Sequence, residues 1–522
     1  MHASPGAVIA LSADTFDEAV AIGIPVTIVG TCVASTILAP TVSVAVQVES
    51  PGVTLMNLQI ASPIGAMAIT ETGGLVLEDA VIDGSGSVSA AISVSHGTFD
   101  ARDVLVKNAG GGGLVLDSSR ATIDGATFEA NTGSAIKLMG YAGSATITDV
   151  AIVGTRPLSD PTPTSNVSAT GDVRVHIERV LIEGSSGNGI TVESGADGTI
   201  DQAYVHHLKP NATDHLGVAI GIWDGAHALV RNSSIADGGA DGISVDTGCD
   251  GPITRAVFDR VSVSDIAGTP ASPPAVGVYV RGSSISIVRS MLRRTSYETI
   301  YLPPPENGCV RPVSTVNLTD VYIDNPYRAS DVVIGFRAIA ANQMAFINAT
   351  RLWVESRGVR TGGAGSSMSF SDLTIHGAAL GGFDARGGAA IRLAKADIAS
   401  SGLFGVCVEG GSSLDASDTT IRGTIADLPA VPNNPDCGGF FEGLGAGIRT
   451  TAGTLQLERF QLLGNASYGA LLDADSAVTF QDGLVAENAI GARFAPDVDG
   501  LKLLSNVAYR DNPKGELTPA RE

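Results

Sequence analysis

Apolar and polar residues alternate in short runs along the whole chain, and the runs share one unit: an apolar residue, any residue, a small or polar residue, two more residues, and a second apolar residue. LMNLQI, LEDAVI, ITDVAI, IERVLI, FDRVSV, LTDVYI, FSDLTI and LERFQL are instances. The polar or small position falls at Gly30, Asn57, Asp79, Asp103, Gly125, Asp149, Arg179, Gln202, Asn232, Arg260, Arg289, Asp320, Arg351, Asp372, Lys395, Asp418, Arg459, Asp482 and Ser505. These are nineteen turns with a mean period of about 26 residues. A second marker, GLVL, GITV, GISV, GVYV, GVCV and GALL, keeps the same step. Period-two alternation closed by Gly, Asn or Asp predicts at least two short strands per repeat. It excludes a helical repeat, whose apolar positions would recur every three or four residues.

A unit this small cannot bury its own apolar face, so successive units must stack and share a core. The pattern therefore predicts an all-β chain: a single solenoid of about nineteen coils over residues 5–510, followed by a polar tail, 511–522. With coils about 4.8 Å apart, it would be a rod of roughly 85 to 90 Å. Loops are expected where the period stretches, at 157–168, 267–275, 302–313 and 424–445.

Composition agrees with a narrow interior. Hydrophobic residues make up 44% of the chain but aromatics only 5%, so the core must be Val, Ile, Leu and Ala. With these repeats the sequence resembles the right-handed parallel β-helix superfamily, the pectate-lyase-like solenoids, in particular their bacterial secreted or surface members. The opening VIALSADTFDEAVAIGIPVTIVGT is similar to the entry of such helices. The resemblance implies the fold over nearly the whole chain. It does not imply one activity, because the superfamily includes lyases, hydrolases, tailspikes and adhesins.

The net charge of −22 excludes nucleic acid as a partner, since binding it requires Lys and Arg to displace counterions. No apolar run reaches the roughly 20 residues of a membrane span. The first residues lack a basic segment before their apolar run, so no secretion signal is read in this chain. Of five cysteines, Cys407 with Cys437 brackets one loop and Cys249 with Cys309 is the second expected disulfide, leaving Cys32. Such bridges imply an oxidising, extracellular or cell-surface location.

The residues following the second apolar position point to chemistry. Successive repeats give His206 and His207, Asp237, Asp265, Arg293 and Arg294, Asp324, Glu355 and His376, expected to form one vertical strip. Trp223, Tyr297, Glu298, Tyr301 and Tyr327 lie in the same region. Residues 281–360 hold ten arginines, no lysine and six acids, a local excess of +4. Arginine pairs bidentately with carboxylates, and aromatic faces suit the apolar faces of sugars. The strip is therefore read as a polysaccharide-binding surface, with binding or display the favoured role.

Two other readings stay open. One is a lyase or hydrolase acting on acidic polysaccharide, with His206, His207, Asp237, Asp265, Arg293 and Arg294 as catalytic candidates. DGGADGI, residues 237–243, is similar to the acidic segment of polygalacturonases, whose aspartates act as acid and base. That family's Gly-His-Gly turn and Arg-x-Lys strand are absent here. The other reading is a rigid spacer of an envelope or coat, in which stacked Arg260, Arg289, Arg351, Asp320 and Asp372 form charge ladders. No cofactor is required, and calcium is expected, if anywhere, at Asp237, Asp241 and Asp265. Oligomeric state is not legible.

Overall fold

In the computed structural model the alternating runs are strands, and the chain is a parallel β-helix without α-helix among the described residues. The structure describes all residues except 1–2, 42, 158–163, 210–216, 268–274, 305, 307, 310, 327–336, 343, 380, 427–444, 500–501, 503–504 and 520–522. Most of the expected loops 267–275 and 424–445 therefore lies outside the described residues, as do half of loop 157–168, Tyr327 and Cys437. The chain divides into two compact units, Met1–Val257 with Val261–Ala275, and Phe258–Arg260 with Val276–Glu522.

Within each unit the strands stack in register from one repeat to the next. In the first, Gly74–Asp83 lies parallel to Thr98–Lys107, from Gly74 beside Thr98 to Asp83 beside Lys107. In the second, Ser314–Asp324 pairs with Ala345–Glu355, and that strand with Ser367–His376. Alternation sends every second side chain inward. The result is vertical aliphatic columns: Ile136, Val167, Ile190, Ile220 and Ile243 in the first unit are neighbours on successive strands and are all buried. Burying each such side chain contributes about 1.5 to 3 kcal/mol. Phenylalanines fill the wider places in pairs, Phe370 against Phe383 at 5.3 Å and Phe460 against Phe480 at 5.0 Å between ring centres.

The corners explain the polar residues of the repeat. Seventeen of the nineteen turn positions have a left-handed backbone, with φ between 46° at Asp79 and 66° at Gly125. Asn and Asp tolerate this conformation, whereas Arg179, Arg260, Arg289, Arg351 and Arg459 hold it against a steric cost of about 1 to 2 kcal/mol. Gly30 is a glycine for another reason: a side chain there would meet the Asn57 carbonyl at 2.3 Å. At the last turn Asn506, not Ser505, takes the left-handed conformation.

A second corner carries a buried asparagine ladder. Asn465 Nδ2 donates to Asn488 Oδ1 at 2.8 Å and Asn488 Nδ2 to Asn512 Oδ1 at 3.2 Å. The same Oδ1 atoms accept the backbone amides of Asn465 and Asn488, at 2.9 and 3.0 Å. Asn512 belongs to the segment expected to be a polar tail. That expectation is corrected: the segment returns to the sheet, with Leu517–Pro519 paired to Ile490–Phe494, because Asn512 and Leu517 continue the repeat's corner and strand.

Asn488→Ala would leave the buried Asn465 backbone amide without its side-chain acceptor and the Asn465 side chain with only the Ile421 carbonyl at 3.5 Å. Unmet buried donors cost about 1 to 3 kcal/mol each. Denaturant unfolding of the variant should show a loss of that size; an unchanged midpoint would mean the ladder is not a stabilising element.

Candidate ligand-binding sites

The expected single strip is two columns, one residue apart. The positions directly after the second apolar residue stack as His206, Ala236 and Ser264 in the first unit. In the second unit they stack as Arg293, Asp324, Glu355 and His376. His207, Asp237, Asp265 and Arg294 occupy the next position, the left-handed corner, at φ of 53°, 53°, 57° and 46°. A one-residue step along an extended chain turns the side chain to another direction. The grouping of Asp237 with Asp324 and Glu355 in one line is therefore corrected.

In the first unit His207 Nε2 faces Asp237 Oδ2 at 3.4 Å, both side chains about half exposed. His206 is half-buried, with its ring 6.4 Å from that of His207. Asp241 is half-buried and its carbonyl accepts the Ala219 amide. Among the described residues no trio of ligand atoms drawn from Asp237, Asp241 and Asp265 converges within 4.8 Å. The Trp223 indole lies over Gly221, where an added Cβ would meet the ring at 2.5 Å, and donates to Ser244 Oγ at 3.2 Å.

The second unit brings predicted residues together in two places. On the outer face of Ser314–Asp324 and Ala345–Glu355, Tyr322 and Trp353 are side by side on adjacent strands. The Glu355 carboxylate accepts from both, from Tyr322 Oη at 2.9 Å and Trp353 Nε1 at 3.1 Å. Burial, then the hydrogen bond to Glu355, pushes the Tyr322 hydroxyl up to about 12. Two residues along each strand, Arg293 Nη2 donates to Asp324 Oδ2 at 3.0 Å. Trp353 remains 46% exposed, so this is a fixed aromatic ledge with a charged border, open to solvent.

The other place is the corner between Met291–Thr295 and Ile300–Leu302. Buried Asn325 staples it, donating through Nδ2 to Thr295 Oγ1 at 2.7 Å and Thr299 Oγ1 at 3.0 Å. Arg357 Nη1 donates to the Tyr297 carbonyl at 2.6 Å. These bonds hold Glu298, which is only 6% exposed and whose Oε2 has no hydrogen-bond partner among the described residues. Tyr301 sits between Tyr297 and Tyr279, at 6.0 and 6.1 Å between ring centres. Desolvation pushes the Glu298 carboxyl up to about 7, against the pull of Arg360, Arg357 and Arg337. Burial likewise pushes Tyr297 to about 12 and raises Tyr301.

Behind this corner Asp384, 1% exposed, is shared by three guanidinium groups: Arg337 at 3.6 Å, Arg360 at 3.3 Å and Arg386 at 2.8 Å. Tyr279, Arg337, Arg357, Arg360, Asp384 and Arg386 were not singled out from the sequence. The arginine excess over 281–360 was the available signal for three of them, and the matched GVYV and TIYL segments for Tyr279 beside Tyr301.

Of the expected charge ladder the Arg351–Asp320 pair is present, whereas Arg260 and Arg289 both turn to Asp259 and Asp372 faces Lys395. Arg289 grips Asp259 at 2.6 and 2.9 Å, and Lys395 lies 3.9 Å from Asp372. Cys249, Cys309 and Cys407 are disulfide-bonded and Cys32 is free and exposed.

A family model described as a right-handed beta helix region matches residues 162–290. Among solved structures, the chain is similar to the catalytic domain of a GH87 alpha-1,3-glucanase in complex with nigerose, at 14% identity over 61% of this chain and 60% of that one, TM-score 0.34. It is similar to the Agl-KA catalytic domain at 13% identity over 87% and 62%, TM-score 0.37. It is also similar to the PL6 family alginate lyase AlyGC at 12% identity over 99% and 98%, TM-score 0.18. The chain thus spans about 60% of the length of the first of these. No curated protein sequence matches it. The fold is a right-handed parallel β-helix.

Glu298 gives a stability signature. Its ordinary value is 4.5 and its folded value about 7, so between these the folded chain keeps a proton that the unfolded chain releases. Its contribution is complete below the ordinary value and is lost as pH rises through the interval, by roughly 3 kcal/mol. Glu298→Gln cannot lose a proton, so its Tm relative to wild type should rise from pH 4.5 to 7.5. Parallel Tm–pH curves would contradict the burial described here.

Proposed function

We propose that this protein binds polysaccharide on the outer face of its second unit, along the ledge of Tyr322 and Trp353. The observation that carries this reading is the Glu355 carboxylate fixing both rings on adjacent strands while Trp353 stays open to solvent. A pyranose presents apolar C–H faces and hydroxyl edges. Held aromatic faces bury the former without losing side-chain freedom on binding, and Arg293, Asp324, Glu355 and His376 are ready partners for the latter. The coil spacing of about 4.8 Å is comparable to the repeat of an extended sugar chain, so neighbouring rings can meet neighbouring sugars. Three disulfide-bonded cysteines support a secreted or cell-surface location, where such polymers occur.

A second reading, cleavage of acidic polysaccharide by a lyase or hydrolase, is favoured by one observation. Glu298 is a carboxyl held near neutrality, the condition for a general acid or base. Incubation with acidic polysaccharides, read as new reducing ends or unsaturated products, tests it.

For binding, Trp353→Ala and Tyr322→Ala should each weaken retention of the protein on its polysaccharide by about tenfold, the scale of a lost stacking contact of about 1.5 kcal/mol. Affinity electrophoresis across a panel of neutral and acidic polysaccharides measures this. Wild-type retention on none of them, or equal retention of both variants, would leave the ledge as scaffold.

A further inference from the structure

The ledge does not end at Trp353. Register carries its column onward: Tyr322 lies beside Trp353, Trp353 beside Thr374, Thr374 beside Asp397 and Asp397 beside Thr420, each on the strand of the next coil. Where the column shortens from indole to threonine, the wall opens into a groove of about 450 Å³ bordered by Thr374, Asp397, Thr420 and Arg422. That volume lies within the range of small-ligand sites. The left-handed turn column supplies the opposite border, with Asp372, Lys395 and Asp418. From Tyr322 to Thr420 is about 19 Å, the height of four coil steps.

The charges along the groove cancel in fixed pairs. Arg422 holds Asp397 through Nε at 3.1 Å and Nη2 at 2.8 Å, and Lys395 faces Asp372 at 3.9 Å. Arg459 of the following coil holds Asp418 at 2.7 and 3.0 Å, and Glu458 touches the same guanidinium, so no positive excess remains. The six paired side chains are between 40% and 73% exposed, within reach of a ligand. Asp397 keeps unshared lone pairs and Arg422 its Nη1 hydrogens, which sets an acceptor next to a donor. The ledge is no more positive. Arg293 is matched by Asp324, and the Glu355 charge is met by the neutral donors of Tyr322 and Trp353. The arginine excess of residues 281–360 is not on this face: Arg337, Arg357 and Arg360 gather at the Glu298 corner.

We propose that ledge and groove form one track for a neutral polysaccharide: one sugar stacks on Trp353, and the units that follow lie in the groove with their hydroxyls on Thr374, Asp397, Thr420 and Arg422. The inference rests on the ledge as a sugar-binding surface and adds the class of the polymer and its direction, along the coil axis. A hydroxyl donates and accepts at once, so it completes both halves of an ion pair without breaking it. A uronate or a sulfate only accepts. To reach a guanidinium it must displace Asp397, and it then lies among Asp372, Asp418 and Glu355. Like charges set against each other suppress the wrong partner.

Binding of the full chain to immobilised pullulan, hydroxyethylcellulose, galactomannan and arabinoxylan, with polygalacturonate and alginate as acidic counterparts, tests this. Wild type should bind at least one neutral polymer and neither acidic one. No ion pair forms with a neutral ligand, so binding should hold from about 20 to about 300 mM salt. The double variant Asp397→Ala with Arg422→Ala removes a whole exposed pair, which contributes little to stability, and should weaken binding about tenfold. Thr374→Val with Thr420→Val, a second probe of the groove, should weaken it a few-fold. Acidic polymer bound as tightly as any neutral one, a steep loss of binding with salt, or undiminished binding of both double variants would overturn the proposal. The two readings fail separately. A loss in Trp353→Ala with none in the groove variants leaves the ledge standing alone, as does Trp353-dependent binding confined to the acidic polymers. Binding to no polymer removes both.

Discussion

A backbone that returns on itself every twenty to thirty residues must find a partner for each amide and carbonyl, in strand and corner alike. The strands meet this through parallel pairing with the repeats above and below, and the corners through two devices. One is the left-handed residue that redirects the chain while its amide still reaches the next coil, as at His207 to the Ala236 carbonyl and Asp237 to the Ser264 carbonyl. The other is the buried amide side chain that stands in for missing backbone partners, as along Asn465, Asn488 and Asn512. Both require each repeat to lie in step with its neighbour. The constraint therefore fixes the register, and the register fixes which distant side chains become neighbours.

That constraint also separates scaffold from site. Arg351 with Asp320 and Arg459 with Asp418 are pairs thrown together by register at exposed turns, and each is worth little, typically under about 1 kcal/mol. Their bidentate geometry offsets only part of the cost of the arginines' left-handed backbone. His207 and Asp237, half exposed in a left-handed column, belong with them physically despite their suggestive chemistry. Glu298 and Asp384 do not. They are withdrawn from water, where an ionised group needs compensation on the scale of several kcal/mol. Asp384 receives it from three arginines. Glu298 receives less, and its raised affinity for a proton records the difference.

The fold was legible because the constraint acts on every repeat and so writes itself many times. Alternation gave the strands, and the recurring Asn, Asp and Gly gave corners later found left-handed at seventeen of nineteen positions. The candidate sites were legible only in part, because a column is fixed to one residue while a sequence pattern tolerates a slip of one. His206 and His207 were equal candidates in the sequence, as were Arg293 and Arg294, and the backbone assigns them to different columns. Tyr297, Glu298 and Tyr301 were found by composition. Arg337, Arg360 and Asp384 were not, since they reach the same corner from strands forty to ninety residues later, and nothing in local spacing marks an outward residue as buried. Asp384 sits between two inward positions on its strand and would be read as exposed, yet its own arginines cover it.

The two surfaces of the second unit meet in sequence at a single corner. Glu355, which fixes the open ledge, ends its strand; Ser356 turns left-handed at φ of 70°; and Arg357 follows, buried, with its guanidinium on the Tyr297 carbonyl. Three residues thus carry the chain from a half-buried carboxylate to a buried cation. A chain of net charge −22 repels polyanions at long range, and the Debye length of about 8 Å at physiological ionic strength confines that repulsion to the near surface. Within that distance the local sign decides, and here it is set by arginines without a single lysine from 281 to 360. Arginine keeps its charge on burial and offers a planar edge, so it can be packed behind tyrosines where lysine would be desolvated and lose its proton. The arginine-only composition of this segment therefore follows from a positive field having to be held inside the wall of an acidic solenoid.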